Sequence, residues 1–293
     1  MKIFITGGSG FIGRNLKEQL AGFYEILAPD RTELDLLDSE KVREYLLKYR
    51  FDAVIHAATW DATRNSGKDT THVLEYNLRM FFNLARCAGH YGRLIHFGSG
   101  AEFGREHWKP GMKEDYFETY VPKDPYGFSK YLIHQYGQEI PNILNLRLFA
   151  VFGKYEDWEI RFISNACCKA MWDLPITIKQ NVFFDFLHVD DLVKIVDWFL
   201  QNPPREKSYN VCSGRSFDLA ALAKMVLKAA GKNLEIKIVQ SALGLEYRGD
   251  HSRLVGEMGS LSLAEIDRSI KKLYDWYGSH KGDIKRELLL NDK

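Results

Sequence analysis

The first half of the chain alternates short apolar runs with amphipathic stretches, and that alternation leaves very few architectures open. Ile3-Phe4-Ile5, Glu25 to Ala28, Ala53-Val54-Ile55-His56, Arg93 to Phe97 and Ile143 to Leu148 read as strands. Between them, Gly10 to Leu20, Lys41 to Lys48, Val73 to Ala88 and Tyr126 to Glu139 have helical spacing. Strands that are apolar on both faces need a helical layer on each side, so the pattern specifies an α/β fold built on a doubly wound parallel sheet. After Gly153 the pattern loosens. Arg161 to Met171, Val193 to Leu200 and Leu219 to Ala230 read as helices, Pro175 to Ile178 as a short strand, and Gly231 as a helix stop. Ser262-Leu263-Ala264-Glu265 has capping-box spacing and is expected to start a helix reaching about Tyr277. The expected division is a sheet domain over 1–153, with 184–202 returning to it, and a smaller mixed α/β domain made of 154–183 and 203–293.

Bulk properties narrow the partners. A formal charge of +1 over 293 residues gives no whole-molecule field for nucleic acid or an anionic membrane. Cys87, Cys167, Cys168 and Cys212 form no C-x-x-C pair and read as reduced, buried thiols. The apolar run at Ile3 is too short for a secretory signal, and no stretch is long enough to span a bilayer, so a cytoplasmic protein is expected. His56, His96 and His188 lie in apolar strands without ligand spacing. They read as satisfied core histidines, and no metal is expected.

Thr6-Gly7-Gly8-Ser9-Gly10-Phe11-Ile12-Gly13 lies between the first strand and the first helix. Glycines there let backbone approach a pyrophosphate, whose charge rests on the helix N-terminus. Gly7, Gly10, Phe11, Ile12 and Gly13 are therefore candidate cofactor-binding residues, and 1–153 is the candidate dinucleotide-binding domain. Asp30 follows Gly13 by 17 residues, at the end of the second strand, where an acid binds the adenosine ribose. Arg31 beside it, with Arg14 after the third glycine, offers a site for a 2′-phosphate instead. Both NADP and NAD are open, with a slight lean towards NADP.

Tyr126 and Lys130 stand at i and i+4, on one helix face and about 5–6 Å apart at Cβ. A free phenol titrates near 10, so working at neutral pH needs roughly 4 kcal/mol of phenolate stabilisation. A neighbouring ammonium together with an oxidised nicotinamide is an adequate source. The phenol then exchanges the proton while the ring exchanges the hydride.

With these motifs the chain resembles the extended short-chain dehydrogenases/reductases, the NAD-dependent epimerase/dehydratase family acting on nucleotide sugars. The spacing Gly7-x-x-Gly10-x-x-Gly13 is similar to that family's fingerprint, and the likeness covers nearly the whole length. His56-Ala57-Ala58 matches the loop after the third strand, Asn77 the helix asparagine, and Ser99, five residues before Gly104, the catalytic Ser/Thr. Arg147 to Gly153 resembles the fifth-strand motif, and Phe184 to Asp191 a stretch that re-enters the core. Arg31 to Asp38 is similar to reductases that make 6-deoxysugars, GDP-fucose synthase among them. The resemblance implies a Rossmann domain with a smaller substrate-binding domain. It makes Ser99, Tyr126 and Lys130 catalytic, with Ser99 hydrogen-bonding the sugar oxygen. It also implies cofactor contacts from Asp35 and Leu36 at the adenine and from Ala57, Ala58, Asn77, Tyr126 and Lys130. Arg248 would reach the substrate diphosphate.

Departures from the family narrow the chemistry. Relatives that eliminate water carry acids at the positions of Gly100 and Ala101, and GDP-fucose synthase carries an epimerising Cys at the Ala101 position. Its second epimerising residue, a His, would fall near Ile160 or Arg161. A common Asn is replaced by Ala150 and a common Arg by Phe184. Ketone reduction needs only Ser99, Tyr126 and Lys130, so the expected function is NAD(P)H-dependent reduction of a 4-keto nucleotide sugar. The alternatives are C4 epimerisation with retained NAD and a non-enzymatic dinucleotide sensor on the same fold. Family members commonly pair the two helices that here span Val73 to Ala88 and Tyr126 to Glu139. Phe81, Phe82, Tyr131 and Tyr136 on their outer faces point to a homodimer.

Overall fold

The computed structural model describes residues 1–60 and 69–290. Six parallel strands form the central sheet: β1 (Lys2–Thr6), β2 (Glu25–Leu27), β3 (Ala53–His56), β4 (Arg93–Ser99), β5 (Ile143–Leu148) and, much later, β10 (Ser208–Val211). Their spatial order is β10-β5-β4-β3-β1-β2. Three short two-stranded pairs complete the strand inventory of the described residues. β6 (Ala150–Phe152) pairs with β9 (Phe186–His188), β7 (Ile176–Gln180) with β12 (Ile236–Gln240), and β8 (Phe183–Phe184) with β11 (Phe217–Asp218).

The period of two along each strand sorts side chains between the helical layers. Ile3, Ile5, Ile55 and Ile95 point to the side covered by α1 (Phe11–Leu20) and α6 (Val189–Gln201), packing with Leu16, Leu192 and Phe199. Phe4, Val54 and Leu94 point the other way, onto Leu46 of α2 (Ser39–Tyr49), Phe81 of α3 (Val73–Ala85) and Ile133 of α4 (Pro125–Gly137). A further core joins α5 (Phe162–Met171), β7, α7 (Leu219–Ala230) and α9 (Ile266–Ser279) through Ile163, Ile176, Leu222, Val226, Ile270 and Leu273. Cys87, Cys167, Cys168 and Cys212 are buried free thiols.

The structure departs from the sequence-based expectations in several places. Ser208–Val211, expected in the smaller domain, is the sixth strand of the main sheet and runs parallel to β5. Its polar Ser208 and Asn210 interrupt the apolar pattern, but the Asn210 side chain is buried and bonds the Met112 and Asp250 carbonyls. Leu254 of α8 (Ser252–Met258) packs into the same sheet core. The helix expected from Ser262–Glu265 to about Tyr277 forms as α9, but it begins only at Ile266 and without the capping box, and the Ala264 N–H is drawn to Asp191 on α6 at 3.0 Å. Phe81, expected on an outer face, is wholly buried against the sheet, whereas Tyr136 is exposed. Among the histidines, His56 bonds Thr6 Oγ1 at 2.8 Å and His188 caps α6. His96, expected to be satisfied, is buried with no partner for either ring nitrogen.

Candidate active site

Because every strand of the main sheet is parallel, the segments after β1, β2, β3 and β4 emerge at one edge. The order reverses beside β1, which has β2 on one flank and β3 on the other, and ligands of such sheets sit in the crevice at that point. Gly7, Asp30, Ala57 and Ser99 all lie at this edge.

The glycine turn is built to be bare. Gly7 adopts φ +66°, and a Cβ on it would stand 2.8 Å from the Ala58 backbone. A Cβ on Gly13 would lie 2.2 Å from the Gly7 carbonyl oxygen. The turn therefore nests against Ala57-Ala58, which Thr6 Oγ1 steadies by accepting the Ala58 N–H at 3.1 Å. Gly10 caps α1 without a side chain, and the first turn holds no acid, so the helix N-terminus keeps its affinity for an anion. This bare cradle, with Phe11 and Ile12 following it, fits a dinucleotide pyrophosphate.

At the neighbouring strand end, Asp30 Oδ1 accepts the Thr32 and Glu33 amides and the Thr32 hydroxyl, at 2.6 to 3.1 Å. These bonds, the Thr32 hydroxyl first, lower its pKa and fix an ionised carboxylate at the mouth. Arg31 is exposed, 3.7 Å from Asp35 and over the Trp60 ring. Arg14 does not join it: its guanidinium stacks 3.6 Å from the Tyr155 ring centroid and pairs with Glu18. Leu36 is buried, and its carbonyl is held by Asn83 at 2.8 Å. Asn77 is also buried. Its amide bonds both backbone groups of Trp60 and reaches Ser129, so it ties the loop after β3 to α3 and α4.

On α4, Pro125 fills the first turn and Asp124 caps it through the Gly127 amide at 2.9 Å. Tyr126 is half-buried and Lys130 buried. The Lys130 Nζ lies 5.8 Å from the Tyr126 ring centroid and donates to the Phe97 carbonyl at 2.8 Å. Burial brings its pKa down to about 8, against an opposing pull from Glu102. The structure thus brings Tyr126 and Lys130 together with the end of β4, where Ser99 sits. For an enzyme that draws its proton from a phenol held acidic by this ammonium, kcat/KM is expected to fall as pH rises through about 8. That limb is a property of the coupled pair. A pH profile still flat at about 10, the ordinary range for a lysine, would show that the burial does not act on catalysis.

Several site residues escaped the sequence reading. Gly127 lets α4 close on the turn after β4, since a Cβ there would lie 2.7 Å from the Ala101 carbonyl. Tyr247 is buried, with Trp108 over it at 4.0 Å between ring centroids. Its hydroxyl stands 2.5 Å from where a Gly100 Cβ would be. The site thus has a phenol beside the place where dehydrating relatives carry an acid. Glu102 was legible, because Ser99-Gly100-Ala101-Glu102 has capping-box spacing, and this box does form. Arg248 is half-buried and pairs with Glu246 at 3.0 Å. It stands next to Tyr247 and so within the same loop as the phenol. Among the described residues no group of His, Cys, Asp and Glu is arranged to hold a metal.

Known proteins resemble this chain in sequence and in fold. An ADP-L-glycero-D-manno-heptose-6-epimerase from Cupriavidus pinatubonensis is 30% identical, over 92% of this chain and 91% of its own. A GDP-6-deoxy-D-mannose reductase from Pseudomonas aeruginosa is 27% identical, over 94% of this chain and 97% of its own. In structure, a GDP-mannoheptose C4 reductase from Campylobacter jejuni with NADP bound superposes with a TM-score of 0.81. It is 20% identical, with 94% of this chain and 98% of that one covered. The model of the NAD dependent epimerase/dehydratase family matches residues 3–212. With its glycine cradle, parallel sheet and Tyr126–Lys130 pair, this chain belongs to the NAD dependent epimerase/dehydratase family of NAD(P)-dependent enzymes.

Proposed function

We propose that the protein reduces a 4-keto nucleotide sugar, with Tyr126 as proton donor, Lys130 as the buried cation that makes the phenol acidic, and Ser99 as hydrogen-bond donor to the ketone. The observation that carries this reading is the Tyr126–Lys130 pair beside Ser99, with glycine and alanine at positions 100 and 101. Bound NAD(P)H supplies the hydride. Ser99 Oγ accepts the Ala101 N–H at 3.1 Å and its hydroxyl contacts the Tyr247 phenol, a contact it exchanges for the substrate oxygen when the sugar binds. Tyr126 gives its proton to the developing alkoxide, and Lys130, held by the Phe97 carbonyl, balances the phenolate that remains. Neither Gly100 nor Ala101 can move a second proton, so elimination or 3,5-epimerisation through those two positions does not accompany the reduction. Arg248 is assigned to the substrate diphosphate. The smaller domain is assigned to 154–183 and 203–293, less the segments that join the main sheet. The same triad also serves C4 epimerisation, and the sequence relatives include both reductases and epimerases.

The test is a panel of 4-keto sugars carried on GDP, ADP, UDP and dTDP, with NADPH or NADH oxidation followed at 340 nm. Stoichiometric oxidation with one sugar supports reduction. Interconversion of sugars with no net change at 340 nm, and NAD retained through purification, assigns an epimerase instead.

Cofactor choice rests on Arg31, now without Arg14 beside it. Asp30 and Asp35 favour ribose hydroxyls, whereas Arg31, exposed and held by Asp35 and the Trp60 ring, can turn onto a 2′-phosphate. Arg31→Ala is expected to weaken NADPH binding by roughly 1.5–3 kcal/mol, the worth of a charge-assisted hydrogen bond, and to leave NADH nearly unchanged. Equal losses measured by titration calorimetry would remove Arg31 from phosphate recognition. No helix among the described residues is long and apolar enough to cross a membrane, and we assign the protein to the cytoplasm. A homodimer through α3 and α4 is proposed from Tyr136, Phe82 and Tyr131. A monomer by sedimentation at micromolar concentration would overturn it.

A further inference from the structure

We propose that Glu102 is a positioning residue for Ser99, clamping the end of β4 so that the serine hydroxyl faces the reacting oxygen. The inference rests on the reading that Ser99 donates to the ketone. Glu102 Oε1 accepts the Ser99 N–H at 2.9 Å, closing a turn in which Ser99 Oγ is itself committed to the Ala101 amide. The carboxylate is fully buried. Its second oxygen is fixed by Arg147 Nε at 2.9 Å and by Asn145 Nδ2 at 3.4 Å, with His134 Nδ1 2.9 Å away. Arg147 is also fully buried. It bonds Asn210 Oδ1 at 2.9 Å on β10 and lies 4.4 Å from the Phe103 ring centroid. The carboxylate and Arg147 together therefore tie the segment after β4 to β5 and β10 beside Ser99.

Gly98 gives independent support. A Cβ there would stand 2.1 Å from Glu102 Oε1 and 2.5 Å from Asn145 Oδ1, so the strand has a glycine where the carboxylate must enter. A buried ion pair of this kind is often no more stable than apolar side chains of the same size. Its use here is geometric: it fixes one backbone N–H, and with it the direction of one hydroxyl.

The experiment compares Glu102→Gln with Glu102→Leu, both in an Arg147→Met background so that neither leaves a buried charge alone. The two differ in whether an oxygen faces the Ser99 N–H. Melting temperature, amide exchange over 98–103, and kcat and KM with the panel sugar turned over fastest are measured for each, with and without Ser99→Ala. At equal melting temperature, the leucine variant should exchange the Ser99 amide at least about tenfold faster, consistent with loss of one buried hydrogen bond. Its kcat should also fall at least about tenfold at unchanged cofactor KM, and the difference should vanish once Ser99 is alanine. Equal exchange and equal kcat would reduce Glu102 to a role in the fold alone. A kcat difference that survives Ser99→Ala would place its action elsewhere. Altered exchange with no loss of kcat on Ser99→Ala would overturn the role of Ser99 and leave the clamp standing. If a double variant fails to fold, Glu102→Asp keeps the charge beside Arg147 but withdraws it from Ser99, and the same loss of kcat is expected.

Discussion

Tyr126→Phe is expected to lower turnover by about 10²–10⁴-fold, the usual worth of a positioned general acid, while cofactor affinity stays near wild type. The substitution removes one oxygen from a half-buried ring and leaves the Gly7–Gly13 cradle untouched. Lys130 keeps its bond to the Phe97 carbonyl, so the fold of α4 is preserved. Stopped-flow hydride transfer to the 4-keto sugar, beside a fluorescence titration of NADPH, separates the two effects. Retention of activity within about tenfold would mean that the proton comes from elsewhere. The Tyr247 phenol, adjoining Gly100, would then be the first group to test.

The second large effect is on stability. Arg147→Leu should cost roughly 3–5 kcal/mol, because it leaves the Glu102 carboxylate buried without its cation. For a chain of this size the melting temperature should drop on the order of 10 °C. Burial alone would raise the Glu102 pKa, but Arg147 and His134 outweigh it and bring it to about 2. A folded pKa below the ordinary carboxylate value contributes stability that is present at neutral pH and lost as pH falls from about 4 towards 2. The wild type should show that acid loss, and Arg147→Leu should show much less of it, since the carboxyl is then no longer held ionised. Thermal melts between pH 7 and about 2 check both. A drop under about 1 kcal/mol would mean that water or a rearranged His134 replaces the guanidinium.

The sequence by itself determined five of the six strands of the sheet, the glycine turn after the first of them, and the placing of Tyr126 and Lys130 on one helix face. Each is a local pattern with one physical reading. Ile3-Phe4-Ile5 followed by Gly7, Gly10 and Gly13 can only be a buried strand turning into a helix whose N-terminus is left bare. Tyr126 and Lys130 share a helix face because 3.6 residues make a turn. Ser99 was placed by its distance from Gly104 in a pattern of known relatives, and its capping box with Glu102 was readable from the same four residues.

Tertiary structure decided what depends on contacts between distant segments. Ser208–Val211 joins the sheet because Asn210 finds Arg147, Met112 and Asp250, partners 40 to 98 residues away. No periodicity announces such a strand. The box at Ser262–Glu265 had the right spacing but lost the Ala264 amide to Asp191 on α6. Arg14 had the right place to assist Arg31, yet Tyr155 and Glu18 hold it away. Tyr247 reaches Gly100 from 147 positions downstream, and Glu102 meets Arg147 across two strands. Spacing fixes what a residue is able to do, and the long-range bonds available to its polar groups decide which of those things it does.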